Sequence, residues 1–394
     1  MKKIILLTVG AFLTGLALAY AAFAEEARLQ FSDVTGHWGE SGIMGAVGKG
    51  YVQGYPDGTF RPDRKVSYAE FLKMTVDALG MQTNEAAGGK WYAPYVEAAT
   101  RAKIYKTSDF EDASWDAPIP RKDMAMLAGR AVGAEMYSQF AYQETAEEYL
   151  YVAANLGLVK GMGAGKAAPE GETTRAQAVT IIERMLKVKD GQTLEPADRN
   201  TRMDAELAWH RTNMYTALEN ELHFDRIGTQ FGRNGYVMET KDGLYKGEML
   251  NLYVIDLEDP NDPYRHVVKD IDSLIWMRSK YYGMHPIKDF PESYLLYFST
   301  KIHYNKDTSK YADTGQRQKI GTVGFGTTDI NAFIEGDLNG LSAVYTKTGE
   351  HLPGASTFIL PKARFDNEDS IAIDLISPGS SNATHKTLTL FTQS

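Results

Sequence analysis

The block Val66–Glu70 (VSYAE) returns in the sequence as Ile119–Asp123 (IPRKD) and Thr173–Gln177 (TTRAQ), at intervals of 53 and 54 residues. After each block, apolar residues recur at positions i, i+3, i+4, i+7 and i+8, which is the spacing of one buried helix face. A fixed period of this length is typical of a repeat architecture. The sequence therefore predicts three equivalent helices that share a core.

Local signals mark the ends of these helices. The first and third blocks each contain a hydroxyl residue followed three positions later by Glu or Gln (Ser67–Glu70 and Thr174–Gln177). This is the composition of a capping box, in which the two side chains satisfy each other's free backbone N–H groups. Gly80 and Gly133 stand where a left-handed cap would end the first two helices.

A second helix is predicted in the earlier half of each repeat. Trp38 and Trp91 are 53 residues apart, and the first of these helices should end near Gly50. The loop Gly54–Pro62 then contains Pro-Asp-Gly, a strong turn signal, beside an aromatic residue that can enter the core. Each repeat is therefore predicted to be a helix, a loop and a helix.

These segments together resemble the S-layer homology domain. The resemblance rests on Phe31–Val34 (FSDV), Trp38, Gly50–Pro62 (GYVQGYPDGTFRP) and the three blocks, which are similar to a Thr-Arg-Ala-Glu motif. It covers repeats at 28–80, 88–135 and 141–188. The resemblance implies a mostly α-helical, pseudo-threefold unit with grooves between repeats. In that family the grooves bind secondary cell-wall polysaccharide, often pyruvylated, and so hold an exported protein on peptidoglycan-associated polymer of the cell wall.

The resemblance also implies binding residues, because a guanidinium can grip the carboxylate of a pyruvate ketal and an indole can pack against a sugar ring. The matching positions are Asp33, Trp38, Gly54, Trp91, Arg121 and Arg175. The residues leave alternatives open. The arginines could lie along the surface of their helices. The tryptophans could pack in the core, which a repeated helix aromatic favours.

Three positions depart from the family pattern, one in each repeat. Tyr68 replaces the usual arginine in the first repeat, and Lys103 replaces a loop glycine in the second. Thr145 stands where the third repeat would carry its tryptophan. We therefore expect that not all three grooves bind.

Composition and charge exclude several classes of protein. The 394 residues include no cysteine, so disulfides, thiolate catalysis and Cys-ligated metals are excluded. With 51 acidic against 42 basic residues, the chain would repel nucleic acid, so no nucleic-acid partner is expected.

The first 24 residues predict secretion. Lys2 and Lys3 precede an apolar run, and the small residues Ala22 and Ala24 suit a signal peptidase. The open alternative is an uncleaved membrane anchor. Otherwise we expect no membrane span, and a secreted, S-layer-associated location at the cell wall or surface.

Beyond a polar linker at 189–200, the pattern predicts an α+β or mainly β domain over 201–394. Arg202–Phe224 has the spacing of one amphipathic helix. Asn234-Gly235 and Asp242-Gly243 are hairpin-turn pairs. Seven strand-like runs are predicted at 236–239, 250–257, 294–303, 343–346, 357–360, 371–376 and 387–391.

Motifs for chemistry are weak in this domain. His210, Glu219 and His223 lie near one another in sequence, but a solvated helix face is favoured over a metal site. Four acidic residues between Asp256 and Asp262 lack the spacing of a calcium loop, so an acidic turn is favoured. Gly161–Lys166 does not complete a phosphate loop, and Gly321–Gly326 is predicted to be a turn.

The leading hypothesis is therefore a non-catalytic, wall-anchored protein that displays a structural or binding domain and needs no cofactor. The alternative is a wall-anchored hydrolase of polysaccharide or peptidoglycan with its active site in the C-terminal domain.

Overall fold

The computed structural model describes residues 31–84, 89–110, 114–134, 145–221, 236–277, 283–312, 317–324, 329–364, 370–379 and 385–392. The chain forms two compact units. The helical unit comprises Met1–Ala134, Leu156–Val159 and Glu170–Glu195, and the sheet unit comprises Glu135–Asn155, Lys160–Pro169 and Pro196–Ser394. The prediction of a multi-domain protein with a helical N-terminal region and a β-rich C-terminal region is confirmed. The predicted leader at 1–24 lies outside the described residues.

The helices of the helical unit follow the predicted period. They are α1 (Glu40–Gly48), α2 (Tyr68–Ala78), α3 (Ala93–Arg101), α4 (Arg121–Ala131) and α6 (Arg175–Lys189). The described helices of the sheet unit are α5 (Ala146–Asn155), α7 (Arg199–His210), α8 (Met214–Ala217) and α9 (Ile330–Glu335).

The predicted helix ends are confirmed. Ser67 with Glu70 forms a capping box at the start of α2, and Thr174 with Gln177 forms another at the start of α6. Pro120 is the residue before α4, in extended conformation. The glycines at the ends of α2 and α4 have the predicted left-handed φ angles of 61° and 71° (Gly80 and Gly133). Helix α6 instead runs on to Lys189.

Backbone hydrogen bonds join the three repeated blocks in a ring. The N–H of Ile119 donates to the carbonyl oxygen of Val66 (2.9 Å), that of Thr173 donates to Ile119 (3.0 Å), and that of Val66 donates to Thr173 (2.9 Å). All three residues are fully buried. Burial of backbone groups is tolerated here because each finds a partner in another repeat.

A second ring of backbone hydrogen bonds has the first residue of each of α2, α4 and α6 as its donors. Its donor and acceptor pairs are Tyr68 N–H to Ala117 O (3.1 Å), Arg121 N–H to Gly171 O (2.8 Å) and Arg175 N–H to Arg64 O (2.9 Å). Helices α2, α4 and α6 also contact one another pairwise. The first turns of these three helices therefore lie close together.

The sheet unit is built on antiparallel strands. Within the described residues, seven strands form one sheet in the order β1-β2-β5-β8-β7-β3-β4, and three form a second in the order β10-β9-β6. The bounds are β1 (Val237–Glu239), β2 (Tyr245–Asp256), β3 (Ile275–Trp276), β4 (His285–Pro286), β5 (Ser293–Asn305), β6 (Lys319–Val323), β7 (Ser342–Tyr345), β8 (Ala355–Pro361), β9 (Ser370–Ile376) and β10 (His385–Thr392). Gln318 ties the two sheets together, because its amide nitrogen donates to Ile376 O (2.8 Å) and its oxygen accepts from the Tyr245 hydroxyl (3.1 Å).

All seven predicted strands are present, but β3, β4 and β6 were not predicted. Strands β3 and β4 have only two residues each, too few for an alternating pattern. The turn predicted at Gly321–Gly326 is wrong at its start, where Gly321 lies within β6. A Cβ on Gly321 would lie 2.8 Å from the Ile376 side chain, so this glycine serves a close approach between strands. Asp242-Gly243 forms the β1–β2 turn, whereas Asn234-Gly235 lies outside the described residues.

The single helix predicted over Arg202–Phe224 is wrong. Helix α7 ends before Arg211, whose φ of 58° is left-handed, and only the short α8 follows. The carbonyl of Arg211 accepts from Leu252 N–H (3.0 Å), and the Asn213 amide donates to Val254 O (2.8 Å). Pairing with the sheet therefore overrides the helical spacing of the side chains.

Helix α7 also buries a carboxyl group. Glu206 is fully buried and accepts from the N–H groups of Tyr215 and Thr216, both at 2.8 Å. Burial raises the pKa of Glu206 to about 8, since desolvation outweighs those hydrogen bonds and Glu219 lies nearby.

Candidate functional site

The helical unit contains a groove of about 380 Å³ lined by residues from each of the three predicted repeats. The loop after α1 and one face of α2 supply most of its wall. The residues at the start of α6 and just before α3 complete it. The lining residues are Gly50, Tyr51, Val52, Gln53, Glu70, Lys73, Met74, Trp91 and Arg175.

Arg175 brings a buried positive charge to this groove. Its Nε donates to Phe60 O (3.0 Å) and its Nη2 to Gln53 O (2.9 Å), so two loop carbonyls hold the guanidinium in place. The guanidinium carbon lies 4.4 Å from the centre of the Phe60 ring. Burial lowers the pKa of Arg175, and within the part of the chain that the structure describes no carboxylate forms an ion pair with it. A charge held in this way is suited to an anionic ligand.

The other charged groups in the groove are already paired. Glu70 accepts from Arg64 and from the N–H of Ser67 (3.0 Å). Lys73 donates to Asp77, and its Nζ lies 5.1 Å from the centre of the Tyr95 ring. Glu70 therefore adds little net repulsion to an anion approaching the groove.

Trp91 and Trp38 are both exposed, with 48% and 64% of their surface accessible. The core-packing alternative is therefore wrong for both. Trp91 lines the groove and touches Tyr92 and Tyr95 edge-on, with ring centres 5.7 and 6.5 Å away. Trp38 lies against His37 and is not among the residues lining this groove.

Asp33 and Gly54 shape the loop instead of lining the groove. The two carboxylate oxygens of Asp33 accept from the N–H groups of Phe60 (2.8 Å) and Arg61 (2.7 Å). A Cβ on Gly54 would lie 2.0 Å from the ring of Phe31, so only glycine fits there. Both residues fix the loop whose carbonyls hold Arg175.

Arg121, at the start of α4, is even more buried than Arg175. The alternative that these two arginines lie along the surface is therefore wrong. Burial, together with the smaller effect of the nearby Arg184, lowers the pKa of Arg121 to about 10. Arg121 does not line the groove that contains Arg175.

The sequence reasoning missed several lining residues, among them Lys73 and Gln53. Lys73 follows Glu70 by three positions, so the two charged side chains lie on one face of α2, and that spacing is the signal that could have identified it. Gln53 contributes its carbonyl to Arg175, which a side-chain motif does not reveal.

In the sheet unit, the acidic turn after β2 behaves as a structural feature. Asp256 and Glu258 both accept from Lys362 (2.9 and 2.8 Å). Asp262 accepts from the N–H groups of Asp256 and Tyr264 (3.0 and 2.8 Å). These carboxylates are therefore engaged by Lys362 and by N–H groups near the turn.

Two members of the candidate metal site, His210 and Glu219, also contact other side chains. Glu219 forms a bidentate ion pair with Arg202, and the His210 ring stacks on Trp209. His223 lies outside the described residues. Among the described residues, no three His, Asp or Glu side chains are placed to hold a metal ion. No helix within the described ranges is long and apolar enough to cross a lipid bilayer.

Comparison with known proteins supports the family resemblance that the sequence of the helical unit indicates. Residues 30–72 match the model of the S-layer homology domain. Over 187 residues, 43% of this chain and 10% of the relative, the chain is 30% identical to an amylopullulanase of Thermoanaerobacterium thermosulfurigenes. It is 29% identical to S-layer protein EA1 of Bacillus anthracis over 198 residues, 46% of this chain and 22% of the relative.

A shorter and more similar match involves the cellulosome-anchoring protein of Acetivibrio thermocellus. It is 44% identical over 49 residues, 12% of this chain and 11% of the relative. The chain thus spans less than a quarter of the length of each of these three relatives. Residues 30–72 are therefore an S-layer homology domain, and the chain is a secreted protein associated with the cell wall or cell surface.

Proposed function

We propose that the helical unit anchors this protein to the cell wall by binding an anionic secondary cell-wall polysaccharide in the groove that Arg175 and Trp91 line. The observation that carries the proposal is the buried guanidinium of Arg175, held by two loop carbonyls beside an exposed indole. The S-layer homology domain and the relatives named for S-layers and for cellulosome anchoring support a role in anchoring.

The groove offers complementary chemistry to an acidic sugar. A carboxylate, such as that of a pyruvate ketal, can accept charge-assisted hydrogen bonds from Arg175, and an indole face can pack against the apolar side of a sugar ring. Trp91 is exposed enough to supply that face, since 48% of its surface is accessible. Arg121, also buried, is the proposed anion-binding residue of a second groove.

The three repeats are proposed to form one pseudo-threefold unit with boundaries at 28–80, 88–135 and 141–188. The two rings of backbone hydrogen bonds among the repeated blocks support this arrangement. Each ring passes through all three repeats, and the donors of the second ring run in the opposite direction to those of the first. We further propose that residues 1–24 are a signal peptide and that 201–394 form a displayed, non-catalytic domain after a linker at 189–200.

A wall-binding assay tests the anchoring role. Purified walls would be compared with walls stripped of secondary polysaccharide, and with walls whose pyruvate ketals have been removed by mild acid. We expect the protein to sediment with intact walls, and to bind stripped walls at least tenfold less. Equal binding to intact and stripped walls would refute polysaccharide anchoring, whereas unchanged binding after mild acid would refute only the pyruvate assignment.

The arginines are tested together in the same assay. Arg121→Ala combined with Arg175→Ala should weaken wall binding while the protein stays folded, as judged by circular dichroism. Arg61→Ala is a matched control, because Arg61 stacks on Tyr55 (4.0 Å) in the same loop but does not line the groove. Unchanged affinity of the double variant would remove the arginine assignment.

A further inference from the structure

The groove at Arg175 shows how the repeats combine. Its arginine comes from the third repeat, its loop glycine (Gly50) from the first and its tryptophan (Trp91) from the second. The next junction takes the equivalent residues from the following repeats, with the first repeat counted as the one that follows the third. There the position equivalent to Arg175 is Tyr68, and the position equivalent to Gly50 is Lys103. Tyr68 and Lys103 depart from the family pattern in different repeats, but they therefore belong to one junction, between α2 and the loop that follows α3. We call this the Tyr68 junction.

The Tyr68 junction is filled by protein side chains. Tyr68 is buried, and its hydroxyl donates to the carboxylate of Asp123 on α4. Its ring lies 4.6 Å from that of Phe110, which stacks in turn on Tyr105 at 5.7 Å. The buried ring of Tyr68, whose hydroxyl is hydrogen-bonded to Asp123, thus occupies the position that the guanidinium of Arg175 takes beside the groove.

The charge at this junction is also neutralised. Arg130 on α4 forms a bidentate ion pair with Asp109 in the same loop, at 2.6 and 3.2 Å, and both side chains are almost fully buried. An anionic sugar entering here would have to compete with that carboxylate. At Arg175 no described carboxylate forms such an ion pair. The two places therefore differ in charge as well as in shape.

We infer that the Tyr68 junction is closed to polysaccharide, so that the helical unit binds at no more than two positions, those of Arg175 and Arg121. The inference rests on the proposed function for its ligand, but the closure itself is a property of the unliganded protein. It limits how many strands of wall polymer one molecule can hold, and so the avidity that the repeats can supply.

Calorimetry on the full chain measures the number of positions. The probe is a short cell-wall oligosaccharide that carries one pyruvate ketal. We expect no more than two equivalents bound by the wild type and none by the Arg121→Ala, Arg175→Ala double variant. Tyr68→Phe should leave the affinity within twofold. The inference is overturned if the wild type binds three equivalents, if the double variant still binds one, or if Tyr68→Phe weakens binding more than fivefold.

Thermal unfolding without ligand tests the closure separately. A packed, hydrogen-bonded ring predicts that Tyr68→Phe lowers the melting temperature by about 2–6 °C and Tyr68→Ala by about 6–15 °C. An unchanged melting temperature for Tyr68→Ala would overturn the inference. If the wild type binds no oligosaccharide, the proposed function fails, while the melting temperatures still decide whether the Tyr68 junction is closed.

Discussion

Replacing Arg175 tests the groove most directly. Arg175 is 8% exposed, its guanidinium donates to two carbonyl oxygens, and no carboxylate within the described residues forms an ion pair with it. In Arg175→Ala, an acidic ligand loses its buried cationic partner and the two carbonyls lose their donors. Arg175→Lys keeps a positive charge but cannot reproduce the planar, multidentate geometry.

The structure sets the expected size of the effect. Removing one partner of a buried, hydrogen-bonded charge pair typically costs about 2–4 kcal/mol of binding free energy. That corresponds to roughly 30- to 900-fold in the dissociation constant. Arg175→Lys should lie between Arg175→Ala and the wild type. Loss of the two hydrogen bonds to the loop should also lower the free energy of unfolding by about 1–3 kcal/mol.

Titration calorimetry with the pyruvylated oligosaccharide measures the affinity, and urea unfolding shows whether each variant remains folded. Arg61→Ala serves as the control, because this exposed arginine pairs with Asp57 at 2.8 Å outside the groove, and we expect its affinity to stay within twofold. The reasoning is refuted if Arg175→Ala is folded and binds within twofold of the wild type.

Three further predictions concern the two units. Trp91→Ala should weaken oligosaccharide binding by about 1–3 kcal/mol with an unchanged melting temperature, since the indole is half exposed; a stability loss without a binding loss would contradict this. Gly54→Ala should cost about 1–3 kcal/mol of stability because its Cβ would strike Phe31, whereas Gly45→Ala, open on the surface of α1, should stabilise by about 1 kcal/mol in urea unfolding. The raised pKa of Glu206 means that the folded protein binds a proton which the unfolded chain releases, so stability of the sheet unit should fall as pH rises from 5 to 8, by at most about 1.4 kcal/mol per pH unit. Glu206→Gln should flatten that dependence, and an equally steep profile in this variant would contradict the assignment.

Features that depend on neighbouring residues were predicted well. The capping boxes at Ser67 and Thr174 need only residues three positions apart, and both form. The longest strands, β2 and β5, were found because their patterns persist over many residues, whereas the five-residue β6 was missed. The prediction failed where a distant partner decides the outcome, as at Arg211, where pairing with Leu252 ends the helix.

The candidate site was predicted in part. Arg175 and Trp91 were identified through the family resemblance, and both line the groove. The same resemblance also pointed to Asp33 and Gly54, which hold the loop in shape. A motif records which residues recur together, but it does not separate those that contact a ligand from those that support the loop.

The sequence by itself determined the period, the helix caps, the apolar stripes and the absence of disulfides, because each depends on residue identity at short spacing. Only the tertiary structure decided which repeats meet. Arg175 donates to Phe60, 115 residues earlier, and Tyr68 donates to Asp123, 55 residues later. Such pairings arise from the packing of three helices around a common centre, which no local pattern encodes. The burial of Arg121 and Arg175, which begin two of these helices, follows from that packing.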